Sequence, residues 1–155
     1  MNVENIIDSA DPNIQQLIVK GEALYHIIDL DLEKMTWSPD LLQAVLPWVP
    51  TPDKQGREGY VHGGVSALFL DTVAGFAANK LIETAGNTAV TASLSIEYKS
   101  PVPVDAPLAV IARVTGREGK AIFITAAIVS ATDPENIMVQ ADAKMIEVKS
   151  ADIRG

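Results

Sequence analysis

Cysteine is absent from the 155 residues, and aromatic side chains make up only 5% of them. The absence of cysteine excludes a disulfide framework, a thiolate zinc site and a cysteine nucleophile. The two histidines, His26 and His62, lie far apart without metal-ligand spacing, so no metal site is expected. No apolar run reaches the length that spans a membrane.

Positive charge is also scarce, since 12 basic residues stand against 20 acidic ones and give a formal charge of −8. Such a chain repels phosphate backbones and anionic lipid surfaces, so neither nucleic acid nor a membrane is an expected partner. The first eleven residues lack the basic start and apolar core of a secretory signal. The sequence therefore predicts a cytoplasmic protein.

The remaining composition is that of an ordinary globular domain, with 48% hydrophobic and 21% charged residues. A chain of this length can bury a substantial core. We expect one domain over residues 1–155, with an N-terminal helix and loop in 1–59 and a motif and core in 60–148.

The first third of the sequence carries mixed signals. Apolar spacing predicts a short amphipathic helix over Pro12–Lys20, and alternation predicts a strand or hairpin over Ala23–Trp37. Proline and glycine punctuate Ser38–Gly59, which favours an irregular segment with a turn of helix around Asp40–Leu46.

A long apolar helix is predicted from Gly64 to about Glu83, ended by Gly86-Asn87. Its first four turns are apolar nearly all round, which is typical of a helix buried on most sides. Four strands are predicted after it, at Thr88–Tyr98, Leu108–Gly116, Ala121–Ala131 and Ile137–Val148. The order predicts an α+β fold with the helix against one face of an antiparallel sheet.

Alternation in the first of these strands predicts which side chains face the core. One face of the strand would carry Val90, Ala92, Leu94, Ile96 and Tyr98, and the other would carry Thr91, Ser93, Ser95 and Glu97.

Asp71 interrupts the apolar helix, where an ionised carboxylate is costly without partners. It could simply face solvent or bind a neighbouring backbone group. However, the same helix face carries a stripe of small residues, which lets a ligand or a second backbone approach: Gly64, Ala67, Ala74, Gly75 and Ala78. A carboxylate held in a partly desolvated cleft is a candidate general base or nucleophile.

The tripeptide His62-Gly63-Gly64 immediately precedes this helix. The first amides of a helix lack intrahelical acceptors and stabilise negative charge on a carbonyl oxygen, while glycine leaves room for close approach. Gly63 and Gly64 are therefore candidate donors of an oxyanion hole. A flexible turn with a capping histidine is the simpler interpretation of each feature alone.

The segment Gln55–Gly64 with Asp71, the strand Val90–Pro101 and the turn Gly116–Lys120 together resemble the phenylacetate-type hotdog thioesterases. The resemblance covers about residues 55–148. It implies a hotdog fold, in which a sheet wraps around the long helix, and homodimers or homotetramers with active sites between subunits. It also implies an acyl-CoA substrate, with no cofactor beyond the coenzyme A of that substrate.

The resemblance further implies a role for each motif residue. Asp71 would be general base or nucleophile, Gly64 would polarise the thioester carbonyl with support from Gly63, His62 would orient this region, and Thr91 would assist the attacking water. Several relatives carry an asparagine where this chain has Gly56, and the nearest side-chain amide is that of Gln55.

The phosphates of coenzyme A require local positive charge, and the candidates near strand ends are Lys99, Arg113, Arg117 and Lys120. Two other functions stay open: a non-catalytic acyl-CoA-binding protein and a hotdog hydratase or dehydratase. Asp71 argues against the first, and its combination with His62-Gly63-Gly64 fits thioester cleavage better than the second. The acyl group is open between aryl and medium-chain types.

Overall fold

The computed structural model describes residues 29–153 of the chain. Contacts divide the chain into two compact units, residues 1–33 and residues 34–155. The predicted helix at Pro12–Lys20 lies outside the described residues, as does the start of the predicted strand or hairpin at Ala23–Trp37. In the described part of that prediction, Leu32–Lys34 forms a 3-10 turn and Thr36 and Trp37 belong to a strand, so the extended conformation is confirmed only at its end. The prediction of one domain stays a prediction.

The second unit contains eight strands and two helices. The strands are β1 (Thr36–Ser38), β2 (Gln43–Trp48), β3 (Gln55–Arg57), β4 (Tyr60–Val61), β5 (Asn87–Tyr98), β6 (Leu108–Glu118), β7 (Ala121–Ser130) and β8 (Ile137–Lys149). The helices are α1 (Gly63–Asn79) and the short α2 (Ser150–Ile153), and a 3-10 turn covers Pro52–Lys54. Within residues 29–153, no helix is long and apolar enough to cross a bilayer.

Six of the strands form one antiparallel sheet in the order β1-β2-β6-β7-β8-β5, and β3 pairs separately with β4. Helix α1 packs on one face of the large sheet. The predicted α+β layout is confirmed, and the last four predicted strands agree with β5–β8 to within two residues at each end.

The core lies between α1 and the sheet because both elements turn apolar side chains toward each other. On β7 every second residue is buried, and the fully buried residues of the helix recur at intervals of three and four residues, which places them on one side of α1. Within one chain the helix is therefore fully buried on one side and mostly half-buried elsewhere, not buried on most sides as predicted. Trp48 of β2 stacks on Phe69 of α1 with 4.1 Å between ring centroids. Burying each large apolar side chain stabilises the fold by about 2 kcal/mol.

Strand β2 replaces the turn of helix predicted around Asp40–Leu46. Its buried residues alternate, with Ala44, Leu46 and Trp48 facing the core. Pro47 is compatible with this strand because β1 pairs only with Gln43–Val45, which leaves β2 as an edge on that side at the proline.

Helix α1 also ends earlier than predicted, at Asn79 rather than about Glu83. The Asn79 side chain donates to the Gly75 carbonyl and accepts from the amide of Ala89. These bonds tie the helix end to the start of β5. Gly86, with φ +82°, belongs to the turn that enters β5 and does not end the helix.

A β-bulge in β5 overturns part of the predicted facing of that strand. Thr91 pairs with Met145 and Ser93 pairs with Lys144, so Ala92 is an extra residue without a partner. The extra residue reverses the alternation. Thr91 therefore lies on the face of the sheet that is turned toward α1, together with Leu94, Ile96 and Tyr98, although alternation alone places it on the opposite face.

A polar cluster joins β5, β6 and β8 beyond the C-terminal end of α1. Arg117 pairs with the buried Glu147 at 2.5 Å and donates to the Leu81 carbonyl at 2.7 Å. Asn87 donates to the other carboxylate oxygen of Glu147 at 2.6 Å. Because a buried carboxylate without partners is costly, the cluster stabilises this end of the sheet.

We expect Arg117→Met to lower the free energy of unfolding by about 2–3 kcal/mol, since it leaves the Glu147 carboxylate buried without its cation. In thermal unfolding this corresponds to about 5–10 °C. The double variant Arg117→Met with Glu147→Leu removes both charges and should recover most of the loss. Equal stabilities of the single and double variants would contradict this account of the cluster.

Candidate active site

Asp71 lies half-buried on α1 and is the only charged residue of that helix. Its Oδ1 accepts a hydrogen bond of 2.7 Å from the Thr91 hydroxyl of β5. The bulge at Ala92 makes this contact possible, because it turns Thr91 toward the helix. The structure thus brings together two of the residues predicted to be catalytic.

His62 is the N-cap of α1, and its Nδ1 accepts a hydrogen bond of 2.9 Å from the Gly64 amide. One of the two predicted oxyanion donors is therefore already engaged. The Gly63 amide makes no hydrogen bond to any described residue, as expected of the first residue of a helix. Of the two donors, the structure leaves the Gly63 amide available.

Tyr98 holds the same turn from the other side. Its hydroxyl, at the end of β5, donates to the Gly63 carbonyl at 2.8 Å. The peptide that joins Gly63 to Gly64 is thus bonded at its carbonyl by Tyr98 and at its amide by His62. Tyr98 carries no signal of a site role in the sequence, because its position beside the helix start depends on the fold.

Gly56 lies directly under His62. A Cβ atom at this position would be 3.0 Å from both the Cα and the Cδ2 of His62, so a side chain here requires His62 to move. The neighbouring Gln55 accepts a hydrogen bond from the Gly59 amide at 3.1 Å. Its carbonyl oxygen is thus used in the β3–β4 turn, and Gln55 does not line the cavity beside His62.

A cavity of about 680 Å³ opens at the N-terminal end of α1. It is lined by His62, Gly63 and Ser66 of the helix start, by Arg57 and Tyr60, and by the segment from Tyr98 to Val102. Asp71 and Thr91 do not line it. The cavity combines an unpaired backbone amide with apolar and cationic walls, which suits a ligand carrying a carbonyl group and an anionic part.

The two parts of the site are separated along one helix. Gly63 and Asp71 are eight residues apart, which corresponds to about 12 Å along the helix axis. One carbonyl carbon cannot contact both within a single chain. A complete site therefore requires another copy of the chain or a separate role for each part.

The predicted basic residues do not form one cluster. Lys99 lines the cavity and lies 4.0 Å from Glu97. Arg117 and Lys120 lie near the opposite end of α1, where Arg117 is occupied by Glu147 and Leu81. Arg113 binds the side chain of Gln43. Within one chain, only Lys99 of these four is near the helix N-terminus.

The model of the thioesterase superfamily matches residues 58–137, which is more than half of the chain. The chain belongs to the thioesterase superfamily. The matched range contains α1 and strands β5 to β7, together with Asp71, Thr91 and the turn at His62–Gly64.

Among curated proteins, the acyl-coenzyme A thioesterase THEM4 of Rattus norvegicus is 34% identical over 94 residues, covering 61% of this chain and 38% of that protein. The match thus spans about two fifths of the length of this superfamily relative. The PaaI protein of the E. coli phenylacetic acid degradation operon has a TM-score of 0.68 at 18% identity, covering 88% of this chain and 91% of its own.

The smu.793 protein of Streptococcus mutans, solved with acetyl CoA, has a TM-score of 0.63 at 15% identity and covers 75% of this chain and 88% of its own. At such identities the likeness concerns the fold. The hotdog fold implied by the resemblance is confirmed.

Proposed function

We propose that the chain hydrolyses acyl-CoA thioesters to a free acid and coenzyme A, with Asp71 as general base or nucleophile. The observation that carries the proposal is the half-buried Asp71 carboxylate, which is bound by Thr91 on an otherwise uncharged helix. Membership of the thioesterase superfamily and the name of the rat relative support it.

The Thr91 hydroxyl donates its one hydrogen atom to Asp71, and its oxygen can still accept a hydrogen bond. A water that donates to both side chains would be oriented for attack on the thioester carbonyl. As a base, Asp71 takes a proton from this water as the carbon–oxygen bond forms and the carbon–sulfur bond breaks. As a nucleophile, the Asp71 carboxylate attacks the carbonyl carbon, the carbon–sulfur bond breaks to release the CoA thiolate, and water then cleaves the resulting anhydride to the free acid. Both routes stay open.

The carbonyl oxygen would bind at the start of α1. Negative charge develops on this oxygen during attack, and an unpaired helix amide stabilises it. Because His62 occupies the Gly64 amide, the proposed donor is Gly63, with His62 and Tyr98 fixing the turn. The same bond makes His62 Nδ1 an acceptor for a backbone amide, which disfavours proton transfer of the hydratase type through that atom.

The site is proposed to form in a homodimer, with homotetramers as a further step. The separation of about 12 Å between Gly63 and Asp71 on one helix is resolved if each comes from a different subunit. Strand β5 is an edge of the sheet and offers unpaired backbone groups to a second copy. Cytoplasmic location stays part of the proposal.

The substrate would be acyl-CoA, with Lys99 at the cavity as the candidate partner for its anionic part. Arg117 is not included, because its contacts to Glu147 and Leu81 already use its guanidinium. Lys120 lies near the same end of the helix as Arg117, so it could reach a substrate only from another subunit.

Asp71→Asn and Asp71→Ala should lower the rate of thioester hydrolysis by about a hundredfold or more, as expected for loss of a general base. The assay measures the thiol released from a panel of aryl- and medium-chain acyl-CoA substrates, and the cysteine-free chain adds no background thiol. Asp142→Asn is a matched control, because Asp142 also accepts from a threonine hydroxyl but is exposed on the sheet.

Three outcomes separate the candidate functions. Loss of activity in the Asp71 variants alone supports hydrolysis at this site. Near-parent turnover in folded Asp71 variants contradicts the catalytic assignment. Binding of acyl-CoA without turnover by the parent protein indicates the non-catalytic binding function instead.

Gly63→Pro tests the backbone donor, because proline removes the amide hydrogen and is tolerated at the first position of a helix. His62 has φ −61° and ψ 133°, which suits a residue before proline. We expect kcat to fall by about a hundredfold in Gly63→Pro. Gly63→Ala keeps the amide and adds only a contact of 3.4 Å to Tyr98, so it should stay near the parent. Equal activities would exclude the Gly63 amide as donor.

Mixed dimers test the shared site. A heterodimer of one Asp71→Asn subunit and one Gly63→Pro subunit retains one complete site if the two groups come from different chains. We expect it to show up to half the activity of the parent dimer, whereas each homodimer is nearly inactive. A heterodimer as inactive as both homodimers would place the two groups in the same chain and overturn the interface model.

A further inference from the structure

Ser66 has a feature that the proposed mechanism does not use. It lies on α1 with 1% of its surface exposed, and its Oγ is the one buried side-chain oxygen or nitrogen among residues 29–153 without a hydrogen-bond partner. Leaving a hydroxyl buried and unpaired is unfavourable, because it gives up the hydrogen bonds that it makes to water in the unfolded chain. A partner that arrives with a ligand would remove this cost.

The position of Ser66 indicates where that partner would lie. Ser66 follows Gly63 by three residues, so the two share one face of the helix. Side chains on a helix lean toward its N-terminus, which brings the Ser66 hydroxyl over the first turn. Both residues line the same cavity of about 680 Å³.

The other polar groups of the helix start are occupied. The Tyr98 hydroxyl donates to the Gly63 carbonyl, and His62 Nδ1 accepts from Gly64. Gly56 contributes no side chain to the cavity. The unpaired donors in the first turn of the helix are therefore the half-buried Gly63 amide and the buried Ser66 hydroxyl.

We infer that the Ser66 hydroxyl donates a second hydrogen bond to the thioester carbonyl oxygen, beside the Gly63 amide. This inference rests on the proposed thioesterase function and adds a residue to it. The hydroxyl rotates about χ1 toward the cavity when the carbonyl oxygen enters. Two donors on one oxygen stabilise the charge that develops there during attack.

Removal of the hydroxyl should lower activity without lowering stability. Ser66→Ala should lower kcat/KM for an acyl-CoA substrate by about tenfold to a hundredfold. Its melting temperature should stay equal to that of the parent or rise, because an unpaired buried hydroxyl is lost. Ser66→Cys keeps a weak donor, so its kcat/KM should lie between that of the parent and that of Ser66→Ala.

Two non-hydrolysable ligands separate carbonyl recognition from general binding. One is a CoA ketone, in which a methylene group replaces the thioester sulfur and the carbonyl is kept. The other is the matching CoA thioether, which has no carbonyl. By calorimetry, Ser66→Ala should weaken ketone binding about fivefold to tenfold, which is the size of one hydrogen bond, and leave thioether binding unchanged.

Ser130→Ala is the matched control, because Ser130 ends the interior strand β7 and does not line the cavity. Parent-like kcat/KM in Ser66→Ala, or equal weakening of both ligands, would overturn the inference and leave the thioesterase function standing. A parent protein that neither hydrolyses acyl-CoA nor binds either ligand would remove the proposed function and this inference together.

Discussion

The hydrogen bond from Thr91 to Asp71 joins the only charged residue of α1 to the edge strand of the sheet. Because α1 packs against the sheet and Thr91 binds Asp71, this carboxylate has a fixed position relative to the sheet. Gly63, at the start of the same helix, lies about 12 Å from Asp71 along the helix axis. One rigid helix therefore sets the geometry of both halves of the proposed site, and that geometry favours a site shared between two subunits.

Most of the architecture could be predicted from local patterns. Strands β5–β8 follow from alternation between turn residues, and α1 follows from helical periodicity. Departures from simple patterns could not. The extra residue Ala92 reverses the facing of Thr91, and the Asn79 side chain ends α1 early by bonding to β5. Both effects depend on a neighbouring element, so no local period in the sequence reveals them.

The identities of the site residues could be predicted from the sequence, but their hydrogen-bond partners and burial could not. Asp71, Thr91 and the His62–Gly64 turn are visible in the sequence, but a motif does not show which amide is already bonded. The contact from Gly64 to His62 moves the proposed donor role to Gly63. In the sequence Ser66 is an ordinary helix residue, and only the packing shows that its hydroxyl is buried without a partner. Arg117 is a candidate phosphate ligand in the sequence, but in the fold it forms an ion pair with Glu147.

The contact between Gly56 and His62 links two positions that are six residues apart in the chain. Since a Cβ atom at position 56 would lie 3.0 Å from the Cα and the Cδ2 of His62, any larger residue there requires a small shift of the histidine. Such a shift would strain the hydrogen bond between His62 and the Gly64 amide and so weaken the cap of the helix. The size of the residue at position 56 is therefore coupled to how firmly the Gly64 amide is held, and so to which backbone group is available to a ligand.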